Sequence, residues 1–243
     1  MGFETIECSK RSVTAHVILN RPHVINAFNT RMRDELYEAL EWAREDRDVR
    51  VVVLRGAGER GFCAGADLTE FGTAPSQAVA RDVRWERDLW DLMRRFRKPI
   101  VAALHGYVIG TGMEMACFCD VRLAATDAEF GMPELSLGLV PAAGGSQTIP
   151  RDIGLGRAVE MFLAGPTRRL SAREALAIGL VQRVVEKDAL FDEAERLARQ
   201  LARWKPSVVE AVKRAVVEGM DMPLETGLRL ERRLAARLGG ATV

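Results

Sequence analysis

The chain has 243 residues, 48% of them hydrophobic and 28% charged, and a net charge of +1. That balance fits a soluble globular protein with one sizeable core. It gives no basic excess to attract nucleic acid and no block of like charge to form a solvated tail.

Along the chain, Thr5–Glu7 and Thr14–Leu19 read as short strands from their β-branched, alternating residues. Thr30 is the expected N-cap of a helix whose apolar stripe is Met32, Leu36, Leu40 and Ala43. Val49–Arg55 is a continuous apolar run, the pattern of a strand covered on both faces. A glycine-rich loop, Gly56–Gly72, follows. Helical spacing returns from Gln77 through Val79, Val83, Leu89, Met93 and Phe96, and Lys98-Pro99 ends it. Pro99–Leu104 is a further buried strand. Gly106–Gly112 is then a turn region opening a short helix near Met113–Cys119. Val121–Ala124 and Ala128–Phe130 read as strands. The rest is mostly helical: Gly145–Pro150, Arg157–Leu163, Ser171–Ile178, Ala189–Trp204, Ser207–Val217 and Pro223–Leu238, interrupted by a strand at Leu180–Val185. Alternation first and helices last define one α/β domain with a helical end.

The N-terminal stretch has early acidic residues and no apolar core, so it is neither a secretory signal nor a transit peptide. No apolar run approaches the ~18–20 residues of a membrane span. The longest, Pro99 to Met113, is broken by His105, Gly106, Gly110 and Gly112. The final Ala-Thr-Val is not a peroxisomal address. A cytoplasmic location is expected. Cys8, Cys63, Cys117 and Cys119 fit no zinc or redox spacing and read as reduced thiols.

Three segments carry the chemistry. In GERGFCAGADL, residues 58–68, the small residues Ala64, Gly65 and Ala66 leave backbone amides open to a ligand oxygen. In HGYVIGTGMEMACFCD, residues 105–120, Gly110 and Gly112 bracket a helix start, where unpaired N–H groups favour an anionic oxygen, and Glu114 lies just inside. In FGMPELSLGLVPAAGG, residues 130–145, Glu134 follows Pro133 with no adjacent cation. Each alone reads as a turn, a helix-stabilising acid or a solvated loop; their conjunction is the informative feature.

From Asn20 to Leu230 the chain resembles the crotonase (enoyl-CoA hydratase/isomerase) superfamily. The matches are NRPHVINAF at 20–28, GFCAGADL at 61–68, KPIVAALHGYVIGTGMEMACFCD at 98–120, FGMPELSLGLVPAAGGSQTIPRDIG at 130–154 and SAREALAIGLVQRVV at 171–185. The resemblance implies a ββα spiral core over residues 1–190 and a C-terminal helical trimerisation region over 191–243. It implies an acyl-CoA substrate and a hydro-lyase that adds water to a 2-enoyl-CoA, in the setting of fatty acid metabolism. It assigns an oxyanion hole to the amides of Ala64 and Thr111, water activation to Glu114 and α-carbon protonation to Glu134. Val24, Asn26, Ala64, Gly65, Ala66, Asp67, Leu68, Gly110 and Pro133 are implied to line the CoA thioester site. Arg21, Arg60 and Lys98 are candidate phosphate partners. No metal or separate cofactor is implied, CoA being part of the substrate, and the assembly implied is a homotrimer or a hexamer of paired trimers. Isomerisation, decarboxylation or hydrolysis of an acyl-CoA, or CoA binding without turnover, are the alternatives.

Three positions depart from the family's habit: Thr111 and Ala142 stand where glycine is common, and Met132 where glutamine is common. The family's usual further C-terminal helices are also expected to be shortened here. Gly56-Ala-Gly58-Glu-Arg-Gly61 matches a dinucleotide fingerprint in letters, but Gly65 and Gly72 interrupt the helix such a site needs. Cys117 and Cys119 lack a nearby third ligand, no G-x-S-x-G surrounds Ser136 or Ser146, and His16, His23 and His105 read as structural.

Overall fold

A computed structural model describes residues 2–73, 86–165 and 167–239. The expected helical positions Val79 and Val83 lie outside them. Two sheets organise the described residues. The larger has the order β1-β2-β3-β4-β6-β9, with β1 (Ile6–Arg11), β2 (Thr14–Leu19), β3 (Val51–Gly56), β4 (Ile100–Leu104), β6 (Val121–Ala125) and β9 (Arg183–Val185). Only β1 and β2 pair antiparallel in it. The smaller contains β5 (Tyr107–Ile109), β7 (Glu129–Gly131) and β8 (Leu170–Ser171).

The chain winds as a spiral. β4 turns at His105-Gly106 into β5, and β6 turns into β7. The segment after β3 joins the same stack through the bridges Gly61–Gly106 and Cys63–Val108. Val108 pairs in turn with Phe130, so Cys63, Val108 and Phe130 form one row across three successive coils.

Alternate residues of the central strands serve two different cores, which is why their runs are continuously apolar. Val52, Leu54, Ile100, Ala102 and Leu104 pack in a main cluster with α1 (Thr30–Glu45) and α2 (Leu89–Arg94). Val51, Val53, Val101, Ala103, Leu123 and Ala125 pack on the opposite face against Leu190, Ala194, Leu197 and Ala198. The expected stripe Met32, Leu36, Leu40 and Ala43 is fully buried.

Between the site-bearing coils and the C-terminus lie α3 (Thr111–Cys117), α4 (Gly145–Ile153), α5 (Leu155–Ala164), α6 (Ala172–Ala177), α7 (Leu190–Leu201), α8 (Pro206–Gly219) and α9 (Leu224–Arg237). The expected boundary at 190/191 falls at the start of α7. That helix covers the second face of the sheet and belongs to the core. The helical unit with its own small cluster is the pair α8 and α9, closed by Ala211, Leu230 and Leu234.

Two local expectations change. The cap of α1 is Asn29, whose side chain accepts from Met32 N; Thr30 is the first helical residue and donates to Glu70. The stretch 106–112 holds β5 rather than a turn alone, because its three residues find partners only in coils distant in sequence. Among the described residues no helix is long and apolar enough to cross a membrane.

Candidate active site

The three chemistry-bearing segments leave the spiral at one end. Ala66 follows Cys63, Thr111 follows Ile109, and Glu134 follows Gly131, so each lies just past the stacked row. Gly65 and Gly110 have φ of +102° and +50°, values that glycine adopts without strain. They are also in close approach: a Cβ on Gly110 would lie 3.7 Å from the Gly65 Cα and 2.7 Å from Glu134 Oε1. The carboxyl of Glu134 therefore rests on the backbone that opens α3.

Glu114, in the first turn of α3, is 2% exposed. Its Oε1 accepts from Gly145 N at 2.8 Å and Ala143 N at 3.0 Å. Gly145 opens α4, so the carboxylate sits at that helix's start, where N–H groups otherwise lack partners. Two amide donors on one oxygen stabilise negative charge there. Met132 closes the site from behind. A Cβ on Gly145 would be 2.8 Å from Glu114 Cγ and 3.1 Å from Met132 Cε.

Glu134 has the opposite environment. It opens a short 3₁₀ turn, Glu134–Leu137, and its Oε2 is buried with no hydrogen-bond partner among the described residues. Burial pushes its carboxyl up from the ordinary value, against the pull of its own backbone N–H, and the Glu114 charge pushes the same way. The two carboxyls are thus electrostatically coupled yet differently held, the pattern that separates a base from an acid.

The structure corrects the amide pair. Ala64 N donates to Ile25 O at 2.9 Å and is not available to a ligand. Two residues on, Ala66 N has no acceptor among the described residues; the chain there is held by Phe28 N to Gly65 O and Asp67 N to Phe28 O, both 2.8 Å. Thr111 N, at the uncapped start of α3, likewise has no acceptor among them.

Asn26 is also reassigned. It is fully buried, and its Nδ2 donates to the carbonyls of Ala57, Gly61 and Phe62 while Oδ1 accepts from Arg21 N. It clasps the loop and does not line it. Arg21 pairs with Asp67 at 2.8 Å, and Lys98 donates to Ala43 O and Asp46 O at the C-terminal end of α1, so neither cation is held ready for a phosphate. Arg60 is exposed. Val24 and Leu68 present apolar surface, at 38% and 55% exposure. Gly110 lies against the Glu134 carboxyl, and Pro133 caps the turn that Glu134 opens.

Sequence reasoning missed the groups that hold Glu114 and the aromatic wall beside them. Phe28, Trp90 and Phe118 form a ladder, with ring centroids 5.6 and 5.8 Å apart. A cavity of about 320 Å³ touches Trp90, Phe118, Ala142, Ala143 and Gly144, with Asp88, Asp91 and Arg94 also lining it. A larger open depression, lined by Thr30, Arg31, Asp34 and Glu35 among others, holds none of the site groups. The available signal was the run Ala142-Ala143-Gly144-Gly145, whose small residues let a helix start approach a carboxylate.

A ββα spiral that gathers two coupled carboxyls at one end, beside two amides with no acceptor among the described residues, sets out the groups that acid–base chemistry needs. The sequence comparison agrees: residues 9–240 match the Enoyl-CoA hydratase/isomerase family, and the chain belongs to it. It is 40% identical to the (E)-benzylidenesuccinyl-CoA hydratase of Thauera aromatica, over 92% of this chain and 86% of that one. It is 38% identical to the 2,3-dehydroadipyl-CoA hydratase of Escherichia coli, over 89% and 83%. Among solved structures it resembles an enoyl-CoA hydratase from Bacillus anthracis with a TM-score of 0.89 at 35% identity, covering 96% and 90% of the two chains.

Proposed function

We propose that this enzyme adds water across the double bond of a 2-enoyl-CoA to give the 3-hydroxyacyl-CoA, using Glu114 as base and Glu134 as acid. The observation that carries it is the contrast between the two carboxyls: Glu114 pinned as an acceptor by two amides, Glu134 desolvated with an oxygen that has no partner among the described residues. The thioester oxygen accepts from Ala66 N and Thr111 N. Glu114 takes a proton from water as its oxygen bonds to C3. The C=C electrons move to the enolate, and Glu134 delivers a proton to Cα. Atoms and charge balance without a change of overall oxidation state, so the step calls for no electron carrier. Preorganised donors at the enolate oxygen are worth ~3–4 kcal/mol each in comparable sites.

The acyl group lies along Trp90 and Phe118. The cavity's contact with Ala143, whose N–H holds Glu114, supports that direction. The relatives named for benzylidenesuccinyl- and dehydroadipyl-CoA support acyl groups larger than crotonyl. Self-association into trimers is supported by exposed apolar residues at the C-terminal helices, among them Val212, Val216, Met220 and Leu224; light scattering tests it. A cytoplasmic location completes the proposal and is tested by fractionation.

The deciding experiment follows loss of the conjugated-thioester absorbance over a panel of enoyl-CoA esters, with product analysis on 2-enoyl and 3-enoyl substrates. Hydration by the parent and a loss of ~10²–10⁴-fold in each of Glu114→Gln and Glu134→Gln are expected. Full activity in either variant, or a shifted double bond as the sole product, defeats the proposal.

A further inference from the structure

We propose that Arg122 and Asp152 form a clamp that positions Glu114, acting from the far ends of the two helices whose near ends meet at that carboxylate. The rate measurement below rests on the hydratase reading; the clamp itself rests on geometry.

Glu114 belongs to the first turn of α3, and the N–H groups that grip its Oε1 belong to Ala143 and to Gly145, the first residue of α4. How well they grip is set by how α3 and α4 lie against each other. α3 has only 7 residues and holds its direction weakly through its own hydrogen bonds. Its near end meets α4 through the bonds from Ala143 N and Gly145 N to Glu114, and a tie at the far end fixes the angle between the two helices.

That tie is at the other end. Asp152 stands in the last turn of α4, and its carboxylate lies 3.1 Å from Arg122 Nη2. The same carboxylate adjoins Cys117, the last residue of α3. Arg122 rises from β6 and is 5% exposed. Its Nη1 donates to Cys119 O at 3.0 Å and reaches Ala116 O at 3.5 Å; its Nε donates to Leu180 O at 2.6 Å. One planar guanidinium therefore collects the carbonyls that close α3, the carboxylate that closes α4, and the chain leading into β9. The loop from Glu114 through α3, Arg122, Asp152 and α4 back to Glu114 is mechanically closed.

Stability alone does not account for such a pair. Taking two charges largely out of water costs about as much as their attraction returns, and apolar side chains of similar size often replace them without loss. What an arginine fork adds is direction, because its donors are fixed in one plane. Arg122 and Asp152 are positioning residues: they act through the helices.

The test compares Asp152→Asn with the double variant Arg122→Met/Asp152→Leu, which exchanges the ion pair for apolar packing. For each, kcat and KM are measured on a 2-enoyl-CoA, with Tm and hydrogen exchange at the Ala143 and Gly145 amides. Both variants are expected to lose ~10–100-fold in kcat, the scale of a misplaced catalytic group, with KM within about twofold. Exchange should quicken at those two amides and not in β2 or β3. The double variant should keep a Tm near the parent's. Parental kcat in folded variants overturns the clamp, and so does faster exchange spread evenly over the chain. If the parent turns over no enoyl thioester, hydration fails, and the exchange at Ala143 and Gly145 still decides the clamp.

Discussion

Gly145→Ala removes no reacting group and tests how Glu114 is held. The added methyl would sit 2.8 Å from Glu114 Cγ and 3.0 Å from its Oε1, with Met132 Cε at 3.1 Å blocking retreat on that side. Ordinary contact needs several tenths of an ångström more, so the carboxylate must swing away and give up the 2.8 Å bond from Gly145 N. A hydrogen bond to a charged group contributes ~1.5–3 kcal/mol. If the bond persists in the transition state, its loss slows the reaction by ~10–150-fold at about 1.4 kcal/mol per decade. Gly145 has no positive φ and opens a helix, where alanine fits well, so the fold should survive. The assay is kcat on an enoyl-CoA ester, with Tm beside it. A kcat within twofold of the parent's in a folded variant would refute the assignment of Gly145 as a holder of Glu114.

Two further outcomes are expected. Glu134 carries a carboxyl whose folded pKa is raised by burial, so the stability it contributes is full below the ordinary carboxylate range and is lost as pH rises through the folded value; Glu134→Gln should accordingly raise Tm at pH 8, leave it unchanged at pH 4, and abolish the alkaline limb of the pH–rate profile, all checked by thermal melts and kinetics. Lys98→Met removes two donors from the end of α1 and should cost ~1 kcal/mol in denaturant unfolding while leaving KM for the acyl-CoA unchanged; a large rise in KM would return Lys98 to the phosphate site.

What could be read from the sequence tracks how local its cause is. The two-faced strands and the apolar stripe of α1 announce themselves because burial writes a period into neighbouring residues. Glu114 and Glu134 were legible because glycine and proline mark sharp exits from a coil. Ala64 looks like an open amide in the sequence because it and Ala66 carry the same side chain in the same loop. Only the partner of Ala64, Ile25 O in a segment far upstream, tells them apart. β5 was hidden for a similar reason: a three-residue strand has no period of its own and exists through Cys63 and Phe130. Asn26 falls in a segment that the family resemblance places at the ligand, but its side chain is spent on three carbonyls of another loop. Holders such as Ala143 and Gly145 work through main-chain atoms and leave little trace in side-chain identity.

The row Cys63, Val108, Phe130 ties the chemistry to strand register. Neighbouring strands stand ~4.8 Å apart, and side chains alternate between faces at every residue. A one-residue deletion in β5 would turn the rest of that layer over and carry Thr111 and Glu114 away from Glu134, while the layers above and below stayed as they were. Conversely, a loop exchanged beyond one strand end changes the groups of one coil against the fixed groups of the other two. Such a scaffold can be re-equipped for a neighbouring reaction one storey at a time.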